Sequence, residues 1–204
     1  VTLAVLALAA LPFVVSPGAS FAITVDVAST GDRRGALKVW MGTALGISAI
    51  ATLFALSGIG LLLAANSTAR TAFGLLGGGV LVLLGFLSIV KAIRSARSSV
   101  TSPRPPRKLV LWSFLALITN VKALSLYALV VPALHTPHLA GTALFFTFAG
   151  VHVVMLFLWL TVLAWAVRRI PNLGASPRIR TALMSAAALT LIALGSQTVI
   201  KALP

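Results

Sequence analysis

The sequence predicts an all-α membrane protein of six transmembrane helices, arranged as two inverted three-helix repeats. Three observations predict it: 59% hydrophobic against only 9% charged residues over 204 positions, apolar runs of about 20 residues recurring from end to end, and a likeness between the ends of the third and sixth runs. A water-soluble domain carries about 25% charged residues. The mean hydropathy here is +1.09, which rules out a soluble enzyme. The 16 Lys and Arg against two acids, Asp26 and Asp32, give a net charge of +14. On a soluble protein that excess would suggest nucleic acid, but the placement of the charges argues for membrane topology and against a nucleic-acid partner. With no cysteine, disulfides, thiolate metal sites and cysteine nucleophiles are excluded together.

The apolar runs extend from Leu3 to Thr24, Leu37 to Leu63, Ala72 to Val90, Leu109 to Val131, Leu139 to Val167 and Thr181 to Ile200. Each is about 30 Å long as a helix. None alternates polar and apolar positions strictly, so a barrel of two-faced strands is a poor fit. The first run has no basic residue before it and reads as a span rather than a cleaved secretory signal. Thirteen basic residues follow spans one, three and five, against Arg70 and Lys201 on the other side. That bias places both termini outside the cytoplasm. The chain divides into a first repeat at 1–93, a basic cytoplasmic linker at 94–108 and a second repeat at 109–204. The linker, rich in Ser, Pro and Arg, could bind anionic lipid headgroups or only fix topology, and topology is the simpler use.

The ends of spans three and six, Gly77 to Ile93 and Ala187 to Leu203, align without a gap, Gly85 with Gly195 and Val90-Lys91-Ala92 with Ile200-Lys201-Ala202. Repeats of three spans must enter the membrane from opposite sides, an architecture of transporters. Such carriers bind cargo near the midplane, where corresponding helices are interrupted. Span one is interrupted at Val15-Ser16-Pro17-Gly18-Ala19-Ser20, where proline withholds an N–H and glycine relaxes the backbone. Span four carries a polar cluster at corresponding depth, Thr119-Asn120-Val121-Lys122. A packing kink alone would explain the first. Lys122 is harder to dismiss, because an ammonium at a helix centre costs about 2.5–3.5 kcal/mol and lies about 20 Å along its helix from the cytoplasmic end. An inward-facing role is favoured over snorkelling.

Asp26 is the one carboxylate near the membrane: a coupling or cation-selecting acid, a partner for Lys122 or an arginine, or an interfacial residue beside Arg33 and Arg34. The shortage of acids disfavours metal export. His135 and His138 share an external loop with no third ligand near, so no metal site is expected. His152, inside span five, either lines a cavity or bonds a neighbouring helix, the bonded role being favoured. Trp40, Trp112, Trp159 and Trp165 mostly suit interfacial anchoring, and Gly42, Gly46, Gly58, Gly60 and Gly77 to Gly79 suit close helix packing.

At the two interruptions a family resemblance emerges. Ser16-Pro17-Gly18 with Phe21 and Gly31-Asp32-Arg33-Arg34-Gly35 resembles the opening SPGPNF and basic segment of the lysine-exporter (LysE/RhtB) family of amino-acid translocators. Leu117 to Leu124, reading LITNVKAL, resembles that family's LTNPKA segment. Gly42-Thr43-Ala44-Leu45-Gly46 is similar to its second helix, and the Gly85 and Gly195 neighbourhoods to its third and sixth.

The resemblance implies a six-helix inner-membrane exporter of amino acids or related small metabolites, coupled to the proton gradient and able to form a homodimer. Two motifs depart from the pattern. Ala19-Ser20 replaces Pro-Asn, and Val121 replaces the proline of Asn-Pro-Lys, so span four can run helical through its motif. Within this reading the substrate-binding candidates are Ser16, Pro17, Gly18, Ser20, Thr119, Asn120 and Lys122, with Asp26 the coupling candidate. Lys122 and N–H groups at the first break would take a substrate carboxylate. Asn120, Ser16, Ser20 and Thr119 would add neutral hydrogen bonds, and carbonyls near Pro17 would accept from the ammonium. Neither a cofactor nor a metal is called for. The alternatives are a cell-envelope lipid-handling or assembly protein of the same superfamily, and a passive channel or scaffold. A membrane enzyme is least expected, since neither a pair of intramembrane acids nor a Ser-His-acid set falls within reach.

Overall fold

A computed structural model describes residues 2–16, 18–58, 62, 66–96, 108–134, 139–170 and 176–202. Pro17, Gly60, most of the linker, His135 and His138 lie outside the described residues. Among the described residues the chain is helical and contains no strand. Helices α1 (Thr2–Val15) and α2 (Ala19–Ser29) meet at a 60° bend. Next come α3 (Gly35–Leu56) and α4 (Ser67–Ala96). Helix α5 (Leu109–Ile118) meets α6 at a bend of 55°. Helix α6 runs from Val121–Ser125 through a π-helical turn, Leu126–Val130, into Val131–Ala133. Two long helices, α7 (Gly141–Arg169) and α8 (Pro177–Ala202), complete the order.

Three stretches are long and apolar enough to cross a membrane, Gly35–Leu56, Ser67–Leu87 and Gly141–Arg169, and each bent pair adds a fourth and a fifth if it counts as one crossing. The run expected from Thr181 to Ile200 falls on α8, whose apolar stretch among the described residues is Leu191–Ile200. Large apolar side chains such as Leu53, Leu83, Val154 and Leu158 are more than half exposed. Such a surface is costly in water and suits lipid contact. Helix α3 ends at Leu56, followed by Ser57 and a left-handed Gly58 (φ +73°), and of the rest of the second run only Leu62 is among the described residues.

The core lies where α3 and α7 pack together and receive α1, α2 and α5, with Leu6, Ile47, Leu126, Tyr127, Phe145, Phe148 and Leu160 fully buried. Missing side chains set these distances. A Cβ at Gly42 would collide with the Val110 carbonyl, and one at Gly46 would lie 2.8 Å from the Leu117 side chain, so α3 and α5 touch nearly backbone to backbone. The same device joins α4 to α8. A Cβ at Gly78 would lie 2.6 Å from the Gly195 carbonyl, one at Gly195 2.6 Å from the Gly78 carbonyl, and one at Gly85 2.9 Å from the Ala188 carbonyl. These contacts run in opposite order along the two helices, which are therefore antiparallel. In the alignment of the third and sixth runs Gly85 corresponds to Gly195 and Gly78 to Ala188, so the contacts Gly78–Gly195 and Gly85–Ala188 are counterparts.

The turn from α2 into α3 uses Gly31 in the left-handed region (φ +82°). The Asp32 carboxylate accepts the Arg34 N–H at 2.9 Å and stands 3.5 Å from Lys38 Nζ. The Arg34 N–H first, and Lys38 after it, hold the Asp32 pKa below the ordinary carboxylate value. Trp40 ties two helices together. Its indole N–H donates to the Val153 carbonyl at 3.0 Å and its ring meets Phe157 edge-on at 5.1 Å, pinning α3 to α7.

Candidate functional site

The two bends open onto one cavity of about 340 Å³. Ser16, Gly18, Ala19 and Ser20 line it from the first bend, and Asn120, Lys122 and Ala123 from the second. Thr43 of α3 and His152, Leu156 and Leu160 of α7 complete the wall.

At the first bend α1 ends with the Ser16 N–H on the Pro12 carbonyl at 3.2 Å. Gly18, in extended backbone, precedes α2 and provides no side-chain cap. The first N–H groups of a helix have no intrahelical acceptor. Those of Ala19, Ser20 and Phe21 therefore begin α2 beside the cavity, at the end of the helix that carries partial positive charge. Ser20 Oγ is 3.0 Å from Thr43 Oγ1, and Thr43 donates in turn to the Val39 carbonyl at 2.8 Å.

The second bend falls at the Thr119–Lys122 interruption, and the helix does not run on through Val121 although it could. Helix α5 stops at Ile118 although no proline follows. Thr119 turns its hydroxyl back onto the Leu115 carbonyl at 2.7 Å, and Asn120 is extended, with its carboxamide oxygen accepting the Lys122 N–H at 3.0 Å. A capping asparagine thus starts α6, with Val121 at the position where the family pattern has proline. Its oxygen is committed to the cap, so Asn120 has its NH₂ donors to offer the cavity. Lys122 lines the cavity with its ammonium 5.6 Å from the centre of the Phe13 ring, within cation–π range.

Not every candidate arrives there. Thr119 is exposed and does not line the cavity. Asp26 lies on α2 about two turns beyond the bend, half-buried, and is likewise not in the wall. Pro17 lies outside the described residues, between two that do line it. Sequence reasoning missed Thr43, a hydroxyl flanked by the packing glycines Gly42 and Gly46, and that placement was the available signal. His152 fulfils both roles weighed for it. It lines the cavity, and its Nδ1 is 3.3 Å from the Tyr127 hydroxyl in buried surroundings. Tyr127 itself, held in the π-helical turn, gave no signal.

Among the described residues, Lys122 is the charged side chain of the wall and no carboxylate joins it. With the start of α2 it makes the cavity suited to an anionic group. No group of three or more candidate metal ligands occurs among the described residues. A family model described as LysE type translocator matches residues 11–202. No curated protein and no solved structure shows a significant match to the chain.

Proposed function

The chain belongs to the LysE type translocator family, a multi-pass membrane translocator, and from that premise we propose that it exports amino acids or related small metabolites across the bacterial cytoplasmic membrane, driven by the proton gradient. The observation that carries this reading is the meeting of two broken helices at one cavity holding Lys122 and the uncapped start of α2. Lys122 and the first N–H groups of α2 take the cargo carboxylate. Ser16 and the Asn120 NH₂ group donate to it, while Ser20 and Thr43, whose protons go to Thr43 and to Val39, offer oxygen lone pairs to the rest of the cargo. The volume, near the lower end of the ~300–1,000 Å³ usual for ligand pockets, favours a free metabolite over a whole lipid and so over an envelope-lipid role.

The same reading takes the fold as six crossings in two inverted repeats, 1–93 and 109–204, joined by the linker. The similar bends of 60° and 55°, the counterpart glycine contacts between α4 and α8 and the excess of basic residues after spans one, three and five support it. Helix α8, with 26 residues, is about 39 Å long and serves as the sixth crossing. Both termini then lie outside the cytoplasm.

The test is efflux of a panel of labelled amino acids from cells producing wild type, Lys122→Ala or Asn120→Ala, with and without a proton gradient. Losing a charge-assisted hydrogen bond worth about 1.5–3 kcal/mol slows export roughly ten- to hundredfold in Lys122→Ala. Wild-type export by that variant at equal membrane levels removes Lys122 from the site. Failure of every amino acid to distinguish wild type from variants removes amino-acid export.

A further inference from the structure

A zwitterion whose carboxylate sits at Lys122 must place its ammonium within the same small cavity, and the wall provides few acceptors for it. The side-chain acceptors there are otherwise neutral oxygens: Thr43 donates to Val39 and Ser20 to Thr43, which leaves Ser20 lone pairs but no charge, and the Asn120 oxygen caps α6. No carboxylate lines the wall among the described residues, and Asp26 stands outside it. The strongest base there, apart from Lys122 itself, is the imidazole of His152, 5% exposed and part of the wall. We propose that His152 Nε2 is a shared seat, taken either by the ammonium of the cargo or by a proton, and that the exclusion of one by the other couples export to proton entry. This deepens the amino-acid reading above and rests on it.

The surroundings of the ring suit such a seat. Tyr127 holds Nδ1 at 3.3 Å, its ring nearly parallel to the imidazole at 14°, and Phe148 meets the imidazole edge-on at 6.1 Å. With its proton on Nδ1 the neutral ring donates to the Tyr127 oxygen and keeps the Nε2 lone pair as an acceptor on a residue of the cavity wall. When a proton binds at Nε2 that hydrogen bond persists, so the ring keeps its place in both states. Tyr127 itself comes from the π-helical turn Leu126–Val130, a feature frequent at functional sites.

The exchange is balanced. Nε2 gains one proton, the ring becomes cationic beside Lys122, and the cargo leaves with its own ammonium protons. The ring later gives that proton to the cytoplasm and is ready for the next cargo. Of the titratable or charged groups on the elements packed around α7, Tyr127 touches the ring and Lys122 shares its cavity. Asp26 on α2 and Lys38 at the start of α3 are not in the wall, and Arg168 and Arg169 lie at the far end of α7.

Purified full-length protein in liposomes, supplied with a radiolabelled amino-acid mixture, tests this. For the wild type, an imposed pH gradient accelerates uptake by exchange. Acidifying the cargo side raises the half-saturating concentration, by up to about tenfold per pH unit, because two ligands of one seat exclude each other reciprocally. In His152→Gln, whose amide accepts a hydrogen bond but takes no proton in this range, the half-saturating concentration no longer depends on pH and the gradient gives no acceleration. Wild-type pH dependence in that variant overturns the proposal while leaving the exporter reading intact. Failure of the wild type to move any amino acid overturns both.

Should His152→Gln be inert, the ring nitrogens decide. In protein carrying His135→Gln and His138→Gln, His152 is the one histidine left, and nitrogen NMR of labelled histidine reads its protonation. Adding the amino-acid mixture at fixed pH shifts the ring toward its neutral form. An unchanged ring, or a shift toward the cation, overturns the proposal.

Discussion

The two bends turn the chain by nearly the same angle, 60° and 55°, with opposite chemistry. At the first, the helix restarts without a side-chain cap, and the residues that carry its leading N–H groups line the cavity. At the second, Asn120 caps the restart from within and Lys122 brings a full charge. One bend thus provides oriented backbone donors, the other a self-sufficient helix start and an ammonium. A bend needs only an end to helical hydrogen bonding, and either a chain breaker or a competing side chain can end it.

The largest effect should come from attacking the support of the second bend. A valine side chain at Gly42 would occupy the space of the Val110 carbonyl, so Gly42→Val should force α5 away from α3. Little protein should then reach the membrane in folded form, as read by detergent-extracted yield and protease resistance, whereas Ala44→Val, on the same helix, should be tolerated. Next, Asn120→Ala removes the cap at a cost of about 1 kcal/mol. It should lower the thermal midpoint in detergent and reduce export, and Asn120→Asp, which keeps the accepting oxygen, should restore the midpoint. The smallest effect is expected at the first bend. Gly18 has φ −128°, and an added Cβ would meet nothing closer than the Ser16 carbonyl at 3.9 Å. Gly18→Ala should therefore shift the midpoint within the range of about 0.5 kcal/mol typical of uneventful substitutions. A large loss there would mean that the first bend needs glycine itself rather than merely an uncapped start.

The comparison also shows what a sequence displays and what it hides. Up to five of the six spans were legible, because crossing lipid takes about 20 apolar residues, and the first break because proline and glycine interrupt helices by local covalent structure. The second break was legible as a polar cluster, but its form was not. With Val121 in the place of proline the helix was free to continue, and whether it stops depends on Asn120 reaching the Lys122 N–H and Thr119 reaching Leu115, a choice among competing hydrogen bonds. The same limit hid Thr43 and Tyr127. Their meaning comes from partners 23 and 25 residues away, Ser20 and His152, and residue spacing within one helix carries no trace of them. The hydrogen bond of Trp40 was hidden for a similar reason, since its partner carbonyl lies on another helix.

The glycines that bring the helices together stand apart from the cavity wall. Gly42 and Gly46 face α5, Gly78, Gly85 and Gly195 join α4 to α8, and none of them lines the cavity, although Thr43, next to Gly42, does. Scaffold and specificity are therefore written in separate letters of the sequence. Selection for a different cargo can exchange Ser20, Thr43 or Leu156 one at a time, while the positions that hold the helices in register are kept by having no side chain to vary.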